Sequence, residues 1–267
     1  MRLLVSVRSA DEVEPALAGG ADIIDAKEPA NGSLGAVSAA TLKEVFSRVA
    51  PTQDLSVALG DVMSVSQVVA MIDGLRLPLR TAPTYLKLGF AGVKSPDTVR
   101  DLLRAAVGSA GRHQSAVTIV AVAYADSERA AALPAEIILN SAAAAGVGGV
   151  LIDTHIKDGT RLLDWRTPET LGSWVALARA SGLMVGVAGS LRAEDTAAMA
   201  LAGPDVMGFR GAACDAGRLG RVSMDRVLVL RRCVDAVSPG LGERSSHNAE
   251  PSAKRVIESG IEPLAPR

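Results

Sequence analysis

An α/β barrel of eight strand–helix units is the fold class that this sequence of 267 residues predicts, and three observations point to it. Short apolar runs alternate with longer amphipathic stretches from the first residues to about residue 237. The runs are near-continuously apolar, as strands are in a parallel sheet covered on both faces. Eight runs each followed by a helix is the count of a (β/α)8, or TIM, barrel. A doubly wound open sheet is the rival arrangement for such alternation.

The expected strands are residues 3–7, 22–26, 55–59, 85–88, 117–123, 149–153, 184–187 and 205–209. The expected helices are 10–18, 38–49, 65–75, 96–107, 135–145, 168–180, 193–200 and 223–234. Several helices carry start signals. Ser9 stands ahead of an acidic turn, Ser95-Pro96 opens the fourth helix, and Thr167-Pro168-Glu169 opens the sixth. These are side-chain caps followed by a proline or an acid in the first turn. Gly19, Gly108, Gly146 and Gly182 read as helix stops. Residues 1–237 form one catalytic domain in this reading. Residues 238–267, rich in Ser, Pro, Gly and charge, read as a polar, flexible tail.

Composition narrows the function. Hydrophobic residues make up 48%, enough for a substantial core, and net charge is −1 with no basic stripe. Nucleic acid and anionic membrane are therefore not expected partners. Aromatic content of 3% leaves few rings to stack on bases. No apolar stretch is long enough to span a bilayer, and Met1 leads directly into RLLVSV, so a cytoplasmic protein is expected. Cys214 and Cys233 match no zinc or redox spacing and are expected as free thiols. Neither metal nor organic cofactor is expected, since no ligand spacing or nucleotide loop appears. Oligomeric state is open, with a homo-oligomer among the states the sequence admits.

The chemistry is carried by lysine. The chain has only six lysines against 22 arginines, and three of the six end or closely follow apolar runs: Lys27 in DAKEP, Lys87 in YLKLGF and Lys157 in LIDTHIKDG. An ammonium at a buried strand end is costly unless paired or deprotonated. A lysine that loses its proton can add to a carbonyl, whereas an arginine cannot. Strand alternation puts Asp25 and Lys27 on one face, and Asp153 on the same face as His155. On the even strands two, four and six of a barrel, Asp25, Lys27, Lys87 and Asp153 converge above the interior, with Lys157 overhanging from the sixth loop. Mutual repulsion and burial then lower the pKa of at least one amine. That yields one neutral amine for imine formation and a second as acid or base.

Gly189-Ser190 after the seventh strand, and Gly208, Arg210 and Gly211 at the eighth, lie where barrels bind phosphate. A phosphorylated small molecule is the expected partner. The loop EPANGSLGA, residues 28–36, is a second anion site or a lid. His155 and Tyr124 are further candidates at strand ends, while His113 and His247 lie in polar stretches.

DAKEPANGSLGA, with YLKLGF and LIDTHIKDG downstream, resembles the (5-formylfuran-3-yl)methyl phosphate synthase family, the 4-HFC-phosphate synthase of methanofuran biosynthesis. The resemblance covers residues 1–235 and implies a TIM-barrel carbon–oxygen lyase. Such a lyase joins two molecules of glyceraldehyde 3-phosphate with loss of one phosphate and two waters. It implies that Lys27 forms the Schiff base and that Lys87 is the proton acceptor or acid–base group. Asp25, Asp153 and Lys157 are then the supporting residues. A class I aldolase acting on another sugar phosphate is the alternative that shares this cluster.

Overall fold

A computed structural model of the chain describes residues 1–238. Eight parallel strands close into a barrel in the order β1 to β8. They are β1 (Arg2–Val7), β2 (Ile23–Ala26), β3 (Asp54–Asp61), β4 (Thr84–Gly89), β5 (Val117–Tyr124), β6 (Gly149–Asp153), β7 (Met184–Val187) and β8 (Val206–Phe209). Closure excludes the open-sheet rival and leaves no unpaired edge. The α-helices are α1 (Val13–Ala18), α2 (Ala39–Arg48), α3 (Val65–Asp73), α4 (Pro96–Ala110), α5 (Ala135–Ala145), α6 (Leu162–Trp165), α7 (Pro168–Ala180), α8 (Thr196–Ala202) and α9 (Met224–Ala236).

Two apolar layers build the core. Between strands and helices pack residues such as Leu3, Ile24, Leu55, Leu86, Ile138 and Val150, all fully buried or nearly so. Inside the barrel, Leu4, Ile23 and Val206 fill one level and Ala58, Val120, Val122 and Leu151 another. The interior is thus plugged with side chains and only its C-terminal rim opens into a cavity.

The local signals act as expected in most places. Ser95 and Thr167 accept hydrogen bonds from the amides of Thr98 and Thr170, capping α4 and α7. Gly146 ends α5 in the left-handed region at φ 73°, where a Cβ would be strained. Three expectations change. Gly108 lies inside α4, which runs on to Ala110 because its apolar face continues through Ala106 and Ala110. Ser9 makes no side-chain cap; the Glu12 carboxylate takes the nearby Arg8 amide instead. Finally, a 3-10 turn at Ala193–Asp195 precedes α8, so no α-helix starts directly behind Ser190. The tail expectation for residues 238–267 falls, beyond Ser238, outside the described residues.

Candidate active site

A cavity of about 790 Å³ opens at the C-terminal rim, within the usual size of small-molecule sites. Its wall carries the lysine–carboxylate cluster, Asp25, Lys27, Lys87, Asp153 and Lys157, together with Gly189, Ser190, Gly208, Arg210 and Gly211, but neither Tyr124 nor His155. The even strands therefore do converge. Asp25 and Asp153 are 0% and 1% exposed, and Lys27 and Lys87 only 8% and 4%.

The two carboxylates are already taken. Lys87 Nζ lies 2.7 Å from Asp25 Oδ1, an ion pair set off the line of a good hydrogen bond. Ser6 Oγ donates to the other oxygen of Asp25 at 2.8 Å. Lys157 Nζ donates to Asp153 Oδ1 at 2.6 Å and to Thr154 Oγ1 at 3.0 Å. Burial would raise both carboxyl pKa values. For Asp25 the charges of Lys87 and Lys27 outweigh it, for Asp153 those of Lys157 and Lys27, and both are held below the ordinary range. The Lys27 side-chain amine makes no ion pair or hydrogen bond among the described residues, while its backbone amide donates to the Val7 carbonyl at 2.9 Å. Burial is the largest influence on its amine. Lys87 and Lys157 repel in the same direction, Asp153 and Asp25 attract against it, and its pKa falls to about 8.

The supporting structure is local. The Asp126 carboxylate accepts the amides of His155 and Ile156 at 2.6 and 3.0 Å, which fixes the loop that carries Lys157. His155 itself is not part of the cavity wall. Its ring meets Tyr124 edge-on at 4.8 Å and lies 3.9 Å from Asp61, to which the Tyr124 hydroxyl donates at 2.7 Å. Burial and the Asp61 charge keep that phenol protonated, with its pKa well above the usual value. Cys214 also lines the cavity, but burial pushes its thiol up to about 11. His113, in a polar stretch of the sequence, is half-buried against the Ile72 carbonyl at 3.0 Å, and His247 lies outside the described residues.

Arg210 is placed as expected and employed differently. All its N–H groups are committed: Nη1 to Ser6 O and Glu12, Nη2 to Glu12 and Gly220 O, and Nε to Arg218 O. Its guanidinium is a clamp between β1 and the loop after β8, not an open fork for a phosphate. In the loop of residues 28–36, Glu28 caps the 3-10 turn Pro29–Asn31. The carbonyls of Pro29 and Gly32 accept from Arg218. Sequence reasoning passed over Ser6 and Arg218. Ser6 had a signal, since it is the polar interruption in RLLVSV on the interior face. Arg218, in an ordinary GRLGR turn, had none. No group of three or more His, Cys, Asp or Glu among the described residues is arranged to hold a metal ion. Nor is any described helix long and apolar enough to cross a membrane.

Fold and site together define a TIM barrel with a lysine–carboxylate centre at its C-terminal rim. A family model described as 4-HFC-P synthase matches residues 3–231. The chain is 34% identical over 241 residues to the (5-formylfuran-3-yl)methyl phosphate synthase of Methanopyrus kandleri, covering 89% of this chain and 99% of that one. To the enzyme of the same name from Methanocaldococcus jannaschii it is 36% identical, covering 86% and 97%. The chain belongs to the 4-HFC-P synthase family. Among solved structures, 3-hexulose-6-phosphate synthase from Salmonella typhimurium has the same fold, with a TM-score of 0.57 at 15% identity and coverage of 89% and 100%.

Proposed function

We propose that this chain condenses two molecules of glyceraldehyde 3-phosphate into (5-formylfuran-3-yl)methyl phosphate, releasing one phosphate and two waters, by way of an imine on Lys27. Family membership supports the overall reaction, as a step of methanofuran-type coenzyme synthesis in one-carbon metabolism. The observation that carries the mechanism is that Lys27 is the buried lysine without a carboxylate of its own. Lys87 and Lys157 each hold one, at 2.7 and 2.6 Å. At pH 7 an amine with a pKa of about 8 is neutral in roughly one molecule in ten, against about one in three thousand at 10.5. Burial thus supplies about 300-fold more nucleophile.

The chemistry follows from that amine. Lys27 adds to the aldehyde carbon, and loss of water gives an iminium that draws electrons from the adjacent carbon. A proton then leaves that carbon, phosphate is eliminated, and the resulting carbon nucleophile adds to the aldehyde of the second molecule. Lys87 with Asp25 on one side, and Lys157 with Asp153 on the other, are the groups within reach to take and return these protons. Gly189, Ser190, Gly208 and Gly211 bring backbone close to one phosphate at the opposite wall. No metal or cofactor takes part in this scheme.

The reaction is tested by incubating the protein with glyceraldehyde 3-phosphate. The expected products are an ultraviolet-absorbing furan aldehyde and one free phosphate for every two substrate molecules consumed. A phosphate-retaining aldol product instead would assign the site to a class I aldolase.

A further inference from the structure

Four arginines line the cavity, and three are spent on acids. Arg192 lies 3.6 Å from Glu194, Arg210 2.5 Å from Glu12 and Arg226 2.8 Å from Asp215. Arg218 has no acidic partner among the described residues. Among the described residues the only hydrogen bonds of its guanidinium run from Nη2 to the carbonyls of Pro29 and Gly32, at 2.7 and 3.0 Å. Nε and Nη1 meet no acceptor among the described residues. A half-buried guanidinium facing a cavity with unfilled donors is a poor structural element and a good anion site.

Its placement is built, not incidental. The excursion after β8 is closed at its base by the bridge between Cys214 and Val222 and by the Asp215 amide on the Arg221 carbonyl at 2.9 Å. The turn passes through Ala216 at φ 57° and Gly217 at φ 81°, immediately before Arg218. The buried Arg210–Glu12 pair then grips the backbone of the excursion at Arg218 O and Gly220 O, at 2.9 and 2.7 Å. From this platform Arg218 reaches the loop that follows Lys27. Among the acids acting on it Asp153, which belongs to the lysine cluster, attracts it more strongly than Glu28.

We propose that Arg218 is the residue that reads the substrate's phosphate: its free N–H groups bind the phosphate monoester while Nη2 ties the loop of residues 28–36 across the cavity. This rests on the reading of the substrate as a phosphorylated aldehyde and gives to Arg218 the role that the position of Arg210 suggested. It also makes phosphate recognition and anchoring of the loop beside Lys27 properties of one side chain.

The test separates phosphate binding from imine chemistry. Inorganic phosphate is titrated calorimetrically into the full chain, into Arg218→Ala and into Arg218→Lys. In parallel, borohydride trapping is followed against concentration for glyceraldehyde 3-phosphate and for unphosphorylated glyceraldehyde. Arg218→Ala is expected to weaken phosphate binding and to raise the half-saturating glyceraldehyde 3-phosphate concentration by about ten- to hundredfold. Trapping with glyceraldehyde should stay within about twofold, and Arg218→Lys should recover part of the loss. Unchanged phosphate binding in Arg218→Ala, or equal losses with both aldehydes, would overturn the proposal while leaving the Lys27 imine standing. Phosphate binding that depends on Arg218 in a protein that traps neither aldehyde would support the phosphate site and sink the Lys27 mechanism.

Discussion

The two ends of the barrel handle charge in opposite ways. At the N-terminal end, Arg2 on β1 pairs with Asp54 on β3 at 2.5 Å, and the Tyr85 hydroxyl donates to the same carboxylate at 3.2 Å. Arg231 closes on Asp22 at 2.7 Å, and Arg80 is absorbed by the carbonyls of Val49 and Ala50. At the C-terminal end, lysines on the even strands and the sixth loop join the arginines, and one lysine, Lys27, is left without a carboxylate of its own among the described residues. β4 shows both habits two residues apart: Tyr85 is locked into the lower network, and Lys87 rises into the cavity. Arginine keeps its proton under any pressure the protein can apply, so it suits pairs that must not change. Lysine can be pushed to lose its proton, so it suits a site that works by doing so. The difference between the ends is that between charge used to hold a fold and charge used to do chemistry.

The largest expected effect breaks that distinction deliberately. Lys27→Arg keeps a cation at the rim but removes the amine that can be neutral. It should fold, with a far-ultraviolet circular dichroism spectrum like that of the parent, and yield no furan product. Measurable turnover in this variant would mean that Lys27 is not the nucleophile.

A second prediction compares two structural arginines. Arg210→Ala leaves the buried Glu12 without its partner and frees two loop carbonyls. It should cost about 3–5 kcal/mol, the usual penalty for stranding a buried charge. Arg2→Ala, at a pair whose arginine is 37% exposed, should cost no more than about 1 kcal/mol. Chemical denaturation of both variants checks this. A small loss for Arg210→Ala would mean that the clamp is not structural.

A smaller effect concerns pH. The neutral fraction of Lys27 grows as pH rises toward its value of about 8 and levels above it. The initial rate of imine trapping, with an unphosphorylated aldehyde, should therefore climb about tenfold per unit at low pH and flatten near pH 8. The groups around this amine are Asp153, Lys87, Asp25 and Lys157. Lys87→Met removes a repelling cation and frees Asp25, so the inflection should move upward. An inflection near 10 in the parent protein would contradict the burial argument.

The smallest expected effect is none. Chelator treatment should leave product formation unchanged, because every step is assigned to side chains. Activity lost to a chelator and restored by a divalent ion would require a different account.

Much of this architecture was legible before any coordinates. Near-continuous apolar strands and capped helices give the alternation, and β6 (Gly149–Asp153) and α7 (Pro168–Ala180) match the expected bounds residue for residue. Strand parity brought Asp25, Lys27, Lys87 and Asp153 to one cavity because the period of two is fixed by backbone geometry. Who pairs with whom was not legible. Lys87 reaches Asp25 across two strand positions, and Arg210 finds Glu12 198 residues away, through contacts set by barrel closure. For the same reason the sequence suggested Arg210 as a phosphate ligand but could not show that its N–H groups are spent on Glu12 and carbonyls. One-turn elements such as α6 are too short to carry a period.

The most direct measurement maps the covalent adduct. The protein is incubated with glyceraldehyde 3-phosphate, reduced with borohydride, digested and sequenced by mass spectrometry. A reduced triose adduct on Lys27, and not on the carboxylate-paired Lys87 or Lys157, is the result expected of an amine left unpaired by its neighbours. An adduct on Lys87 or Lys157, or on no lysine at all while product still forms, would contradict the assignment of the free lysine as the nucleophile.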